Sequence, residues 1–283
     1  MLKKIFNSKI FKGEFFNKKL ILLIPFFVIA ILLILLPIVL ILVNSIAPRN
    51  NFDNWLLVKE SNTWNIILRS LKLGFIASII CLFIGIIYAY WVSKSKNKFF
   101  KIYALTLIIS PLAIFTIARI YSIKGLFLAL FAGDPKSLNS EWFIVVGLVY
   151  LNLPLMIMPL YSVFKDMPKN IVEASNDLGY SNFKTFFKVI IPYATKAILS
   201  GIAMIFLASA TTFVVARKLL PDGSQNQLIG ELINEKINPG NPFDLSSGSA
   251  LVIVVSAIFI GTYLLILIVP KVIYHFKKGA VYE

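Results

Sequence analysis

LILLIPFFVIAILLILLPIVLILV, Leu20 to Val43, runs for 24 residues without a charge. A helix rises about 1.5 Å per residue, so about 20 apolar residues cross the ~30 Å hydrocarbon core of a bilayer. Pro25 and Pro37 are the only breaks in the run. The stretch is too long for the apolar region of a cleaved leader, about 7 to 15 residues, although Ser45-Ile46-Ala47 has a small-x-small form; an uncleaved helix is expected. Further apolar runs extend from Leu71 to Val92, Ile102 to about Ile123, Trp142 to Phe164, Ala194 to Ala216 and Ala250 to Val269. Of the 283 residues 58% are hydrophobic and 14% charged, where a soluble domain carries about a quarter charged. The reading is an all-α integral membrane protein with six transmembrane helices.

Basic residues orient these spans, because cytoplasmic segments carry the excess of Lys and Arg. With the N-terminus inside, Lys3 to Lys19, Lys94 to Lys101, Lys165 to Lys196 and Lys271 to Lys278 all fall on the cytoplasmic side. Both termini are therefore expected to be cytoplasmic in a multi-pass protein of the cell membrane. The net charge of +15 is spread along these segments and faces anionic membrane lipid, so no nucleic-acid partner is expected. Residues 1–19 set Leu2, Ile5, Phe6, Ile10, Phe11 and Phe15 among lysines, which reads as an interfacial amphipathic segment or a frayed basic tail. Residues 20–283 form the permeating domain, with outer loops at about 44–70, 124–141 and 217–249.

Several chemistries are argued against. Cys81 and His275 each stand alone, so disulfides and cysteine or histidine metal sites are not expected. The spans hold almost no ionisable groups, Arg119 and Lys124 lying near the outer end of the third, which disfavours a proton relay. No phosphate-binding loop is present. The chain is read as binding no cofactor and catalysing no reaction, and uphill movement of solute would need energy from a partner.

The segment 165–193 is a long, half-polar stretch set between spans on the lysine-rich side. Asp166 can cap a short helix from about Pro168 to Leu178, which Gly179 ends in a left-handed turn. Ile171, Ala174, Ser175 and Leu178 fall on one face, small in its middle. Lys169, Glu173 and Asp177 fall on another at helix-pairing spacing. Ser181 can cap a second segment, stopped by Pro192. This is a shape for docking, or an ordinary amphipathic connection.

Glu173-Ala174-Ser175, Gly179, Val189, Ile191 and Pro192 resemble the EAA loop of type I ABC importer permeases: E-A-A, three residues, G, nine residues, I-x-L-P. SLKLGFIASIICLFIGIIYAYWVSK, Ser70 to Lys94, is similar to that family's second span in Ser70-Leu71, Ser78, Gly85 and Ala89-Tyr90; Ile87 stands where relatives carry a kinking proline. ARIYSIKGLF (Ala118 to Phe127) and TTFVVARKLLPDGSQNQLIGELI (Thr211 to Ile233) look like the spermidine/putrescine permeases. Thr212 departs from relatives that often carry an acid there.

The resemblance implies the type I permease fold. It also implies a second homologous permease, two ATP-binding subunits carrying ATP and Mg, and an extracytoplasmic or lipid-anchored solute-binding protein. Ile171, Glu173, Ala174, Ser175, Asp177, Leu178, Gly179 and Pro192 are then the expected ATPase-coupling residues. For a polyamine, Tyr121, Tyr150, Phe206, Thr212 and Phe213 are candidates for the solute pathway, aromatic faces suiting a polycation. Asp222, Glu231, Glu235 and Asp244 would attract a cation or grip the binding protein, or are solvated loop charges. Another small solute, or an ion-coupled carrier working without an ATPase, is the alternative.

Overall fold

A computed structural model describes residues 23–48, 52–131, 135–222, 226–238 and 240–279; the expected interfacial segment 1–19 lies outside them. Every extended regular element among these residues is helical. Four helices are long and apolar enough to cross a membrane, and two bent pairs raise the number to six if each pair is one span. By packing the chain divides into two compact units, Met1–Leu57 with Ile237–Ile253, and Val58–Lys236 with Val254–Glu283.

In the first unit, α1 (Ile24–Ile46) is apolar on all sides, and Ser45 is its one buried residue. Its last carbonyls are satisfied from outside the helix: Asn54 Nδ2 donates to Ser45 O at 3.0 Å and to Ala47 O at 2.9 Å. Pro37 offers no N–H to the carbonyl four residues earlier, and the helix widens to a π turn at Ile31–Leu35 around that position. Wide turns of this kind accommodate proline within apolar helices.

The second unit is built on α2 (Ser61–Lys94), α3 (Lys98–Ile109), α4 (Thr116–Leu130) and α5 (Glu141–Asp166), followed by α6 (Lys169–Asp177), α7 (Asn182–Tyr193) and α8 (Thr195–Ala210). Short helices α9 (Val215–Leu219) and α10 (Ile229–Lys236) precede α11 (Pro242–Gly279), which the two units share. α2, α5 and α8 pack closely through small residues, the usual means of bringing helices together in lipid. Met156 of α5, fully buried, fits between Gly85 of α2 and Gly201 of α8; a Cβ on either glycine would come within 2.7 Å of its side chain. Asn152 of α5 donates to Ser209 of α8 at 3.0 Å. Cys81 is buried beside them, its thiol directed at Val149 O at 3.7 Å. α2 continues unbroken through Ile87, as expected of a span lacking the relatives' proline.

Two expected spans are not straight rods. The third is broken into Lys98–Ala113 and Thr116–Leu130, bent by 106°. Pro111 cannot serve the carbonyl of Leu107, Ser110 Oγ donates to it at 3.3 Å instead, and the chain tightens to a 3₁₀ turn before leaving the helix. The fifth, expected from Ala194, is set off by a 69° bend from Asn182–Tyr193; its helix stops at Ala210 and its expected end at Ala216 falls in the separate helix α9. Helical residues reach into the segments 44–70, 124–141 and 217–249. α2 begins at Ser61, α4 continues to Leu130, and α10 occupies part of 217–249.

Gly201→Val, which inserts two methyl groups where no Cβ fits, is expected to destabilise the helix trio by about 1 to 3 kcal/mol. Gly125→Ala, made where nothing lies within 4 Å of the new Cβ, is expected to leave stability nearly unchanged. Thermal unfolding of the purified protein in detergent compares the two.

Candidate functional site

The polar segment 165–193 folds as a helix, a reversal and a second helix. Asp166 is not its cap: it ends α5, and Pro168 occupies the N-cap of α6 without a side-chain bond. Gly179 has φ +78°. Its N–H bonds Asn176 O at 2.8 Å and that of Tyr180 bonds Ser175 O at 3.2 Å, the paired 5→2 and 6→1 pattern of a Schellman motif. A Cβ at Gly179 would meet nothing within 4 Å. The requirement for glycine is therefore the backbone angle alone, which L side chains rarely adopt. Ser181 Oγ then accepts from Lys184 N at 3.4 Å and caps α7. Tyr180 lies under both Lys184 and Lys188, whose ammonium groups stand 5.2 and 5.7 Å from its ring centre.

The expected docking face of α6 is split. Ile171 and Val172 are half-buried against the core and Ser175 is buried, whereas Glu173, Ala174, Asp177 and Leu178 face outward, Leu178 at 79% exposure. Ile171, Val172 and Ser175 share one arc because the β-branched Val172 carries the apolar surface round toward the core. Lys169 forms no ion pair with Glu173, contrary to the spacing. Ser175 and Thr185, 5% and 1% exposed, share a hydrogen bond of 2.9 Å that ties α6 to α7. Phe186 of α7 packs edge-on against Tyr90 of α2 at 5.4 Å, and Tyr90 against Phe164 of α5 at 5.6 Å. Pro192 does not end α7 at once: the helix widens to a π turn at Phe186–Ile190, spanning the carbonyl that the proline cannot serve, and closes at Tyr193.

The five pathway candidates are not gathered in one place. Phe206 is core, 1% exposed and packed on Phe259 at 6.2 Å, and Tyr150 packs on the cluster around Phe143 and Leu148. Tyr121 and Phe213 are half-exposed. Thr212 and Phe213 lie on the link between α8 and α9, where the carbonyls of Thr211 and Thr212 approach so close to Gly230 of α10 that a Cβ would meet them at 2.5 and 2.7 Å.

Of the four acids expected in the outer loop, Glu235 and Asp244 have carboxylates bound to neighbours. Glu235 pairs with Arg217 at 3.0 Å and accepts from Gln227 at 3.0 Å. Asp244 accepts from Asn241 at 3.0 Å, and the amide of Asp222 donates to Asn139 at 2.7 Å. Glu231 is 2% exposed. Burial pushes its carboxyl up to about 7, Glu235 adds to the rise, and Arg217 and the Leu228 amide oppose it without a close hydrogen bond to either oxygen.

Three features were not anticipated from sequence. Arg119 is buried with one hydrogen bond, to Thr116 at 3.3 Å. Lys124 donates to the carbonyls of Lys218 and Leu220 at the end of α9. Glu141 bridges Arg69 and Lys72, joining the outer parts of α2 and α5. A single cation inside an apolar run is the signal for the first two; nothing in the sequence pairs Glu141 with α2.

Residues 81–275 match the model of the family described as binding-protein-dependent transport system inner membrane component. The chain is 28% identical, over 91% of its length and 94% of the relative's, to the spermidine/putrescine transport system permease protein PotB homolog of Mycoplasma genitalium. It is 30% identical to PotB of Escherichia coli over 72% of this chain and 80% of that one. A crystal structure of a bacterial ABC transporter involved in import of the acidic polysaccharide alginate contains a chain of the same fold, with TM-score 0.60, 18% identity, and coverage of 88% and 93%.

Removing one hydroxyl of the Ser175–Thr185 pair leaves the other buried and unpaired, at a cost of about 1 to 3 kcal/mol. Ser175→Ala and Thr185→Val are each expected to speed amide exchange across α6, and the double variant to do so less than the two effects combined. Hydrogen–deuterium exchange on residues 169–185 reads this. For Glu231 the folded-state value lies above the ordinary 4.5, so the folded chain prefers the neutral acid. Its stabilising contribution is whole below about 4.5 and is lost as pH rises to about 7. Glu231→Gln is expected to raise the melting temperature relative to the unmodified protein by an increment that grows across that window and is flat above it.

Proposed function

The chain belongs to the family of binding-protein-dependent transport system inner membrane components, and from that membership we propose that it imports a polyamine as one of two permeases driven by a separate ATPase. It is an ABC importer permease subunit, a multi-pass membrane protein whose family works with ATP-binding and solute-binding partners. The proposed topology counts Lys98–Ala113 with Thr116–Leu130 as one bent span, starts the fifth span after the bend at Ala194, and puts both termini and 165–193 in the cytoplasm. The lysine distribution supports it.

The observation that carries the coupling role is the α6–α7 elbow. Its reversal is fixed by Gly179, its inner side is tied down by Ser175 and Thr185, and its outer side presents Glu173, Ala174, Asp177 and Leu178. ATP and Mg bind the ATPase. Closure of that subunit displaces the outer side of the elbow, and the displacement passes through Ser175–Thr185 and the Phe186–Tyr90–Phe164 stack to α7, α2 and α5. Such a lever needs a partner that binds its two positions with different affinity.

Polyamine as solute rests on the names borne by the relatives. Tyr121 and Phe213, whose rings are open, are the proposed cation contacts, with Thr212 and Tyr150 beside the route and Phe206 behind it. Asp222, Glu235 and Asp244 are proposed to meet the binding protein, Glu235 and Asp244 through carboxylates already oriented by a neighbour.

Gly179→Val and Glu173→Lys are expected to abolish stimulation of ATP hydrolysis by loaded binding protein in the reconstituted assembly, with binding protein still docking. Full stimulation in both variants would refute the lever. Spermidine uptake into proteoliposomes tests the solute, and uptake of a different solute class by the same active assembly would overturn the polyamine assignment alone.

A further inference from the structure

Tyr90, Trp91, Lys94, Ser95 and Phe100 line an open cleft of about 500 Å³ at the lysine-bearing end of α2. Lys94 closes α2 and is the lysine that lines the cleft; Lys101, next to the lining Phe100 in the first turn of α3, and Lys169, the first residue of α6, are near enough for their charges to act on it. Positive charge from three elements thus falls at this end of α2. No carboxylate among the described residues pairs with any of these lysines. Unit charges of one sign held at such range repel, and a bound anion would relieve that repulsion. The first turn of α3, twelve residues long and capped by Asn97, adds positive charge of its own.

The apolar surroundings point to the kind of anion. Of the lining residues Trp91 is 75% exposed and Phe100 is open, and beside them on α3 Phe99, Ile102 and Tyr103 are exposed as well. A soluble anion accounts for the lysines and leaves this apolar rim facing water. Trp and Tyr beside Lys at the end of a span is the arrangement found at headgroup depth.

We propose that the cleft binds an anionic phospholipid, its phosphate held by Lys94 with Lys101 and Lys169 adding positive charge around it, and its upper acyl chains lying on Trp91 and Phe100. Tyr90 is one wall of the cleft and also the ring on which Phe186 and Phe164 pack. The lipid therefore braces the elbow through two of its anchors, the start of α6 and the Tyr90 stack. The proposal concerns lipid binding and does not depend on which solute is carried.

The test uses the assembled transporter in nanodiscs of phosphatidylcholine alone or mixed with phosphatidylglycerol, with retained lipid counted by native mass spectrometry. The unmodified assembly is expected to retain phosphatidylglycerol in preference to phosphatidylcholine. Lys94→Gln with Lys101→Gln should lower that retention about tenfold. Lys94→Arg with Lys101→Arg should keep it, as should a charge-matched control, Lys196→Gln with Lys236→Gln. Equal retention in the glutamine pair and the control overturns the proposal, as does failure of the arginine pair to retain lipid. Inorganic phosphate displacing the lipid from the unmodified assembly would assign the lysines to a soluble anion. Loss of the ATPase subunits from the glutamine pair with lipid retention intact would assign them to an acidic face of that partner. Either result also sinks the idea.

Discussion

In hydrocarbon a backbone carbonyl without a partner has no water to fall back on, and the architecture is organised around that cost. The chain places prolines at 37, 111 and 192 within or at the ends of apolar helices, and each removes a donor. Around Pro37 and Pro192 the helix widens into a π turn. At Pro111 a serine hydroxyl takes the orphaned carbonyl and the helix breaks. The same deficiency therefore yields a continued helix at Pro37, a helix that closes at Tyr193 before a 69° bend at Pro192, and a turn of 106° at Pro111. The residues beyond each proline make the difference: Pro111 leads through a 3₁₀ turn to an extended Ile114, whereas Pro37 is followed by helix to Ile46.

Packing of the remaining helices then depends on size. With lipid as apolar as leucine, close approach rather than hydrophobicity holds α2, α5 and α8 together, and the glycines at 85 and 201 decide how near they come. The elbow stands on this trio. Its hydroxyl pair and aromatic stack lead into side chains of α2 and α5 whose neighbours cannot shift without meeting Met156. A displacement applied at the exposed side of α6 is not absorbed locally, because close-packed interiors transmit strain.

Much of this was legible from residues alone. Apolar run length located the four helices long and apolar enough to cross a membrane, and the need for a positive φ located the reversal at Gly179. Hydroxyl chemistry located the cap at Ser181, and a missing proline foretold an unbroken α2. Legibility failed where a decision depends on partners distant in sequence. The spacing of Lys169 and Glu173 permits an ion pair that the surroundings do not form. Ser175 looked like part of an outward face and is turned inward, because only the packed structure brings Thr185 to it. Glu231 reads as a surface acid in a polar loop, and its burial is set by how α10 sits on the Thr211–Thr212 carbonyls. The fifth span was misjudged at its end since apolar composition continues past Ala210 while the helix does not.

The solitary thiol, sealed between α2 and α5 beside the Val149 carbonyl, has an outcome for how motion in this molecule can be watched. Reagents that alkylate sulfur act on an accessible thiolate, which Cys81 at 0% exposure does not offer. Single cysteines introduced on the elbow or on the span ends would then be the sole reactive handles in an otherwise native background. Pairs of fluorescent or paramagnetic reporters placed this way would measure any displacement of the elbow in ångströms without first rebuilding the interior.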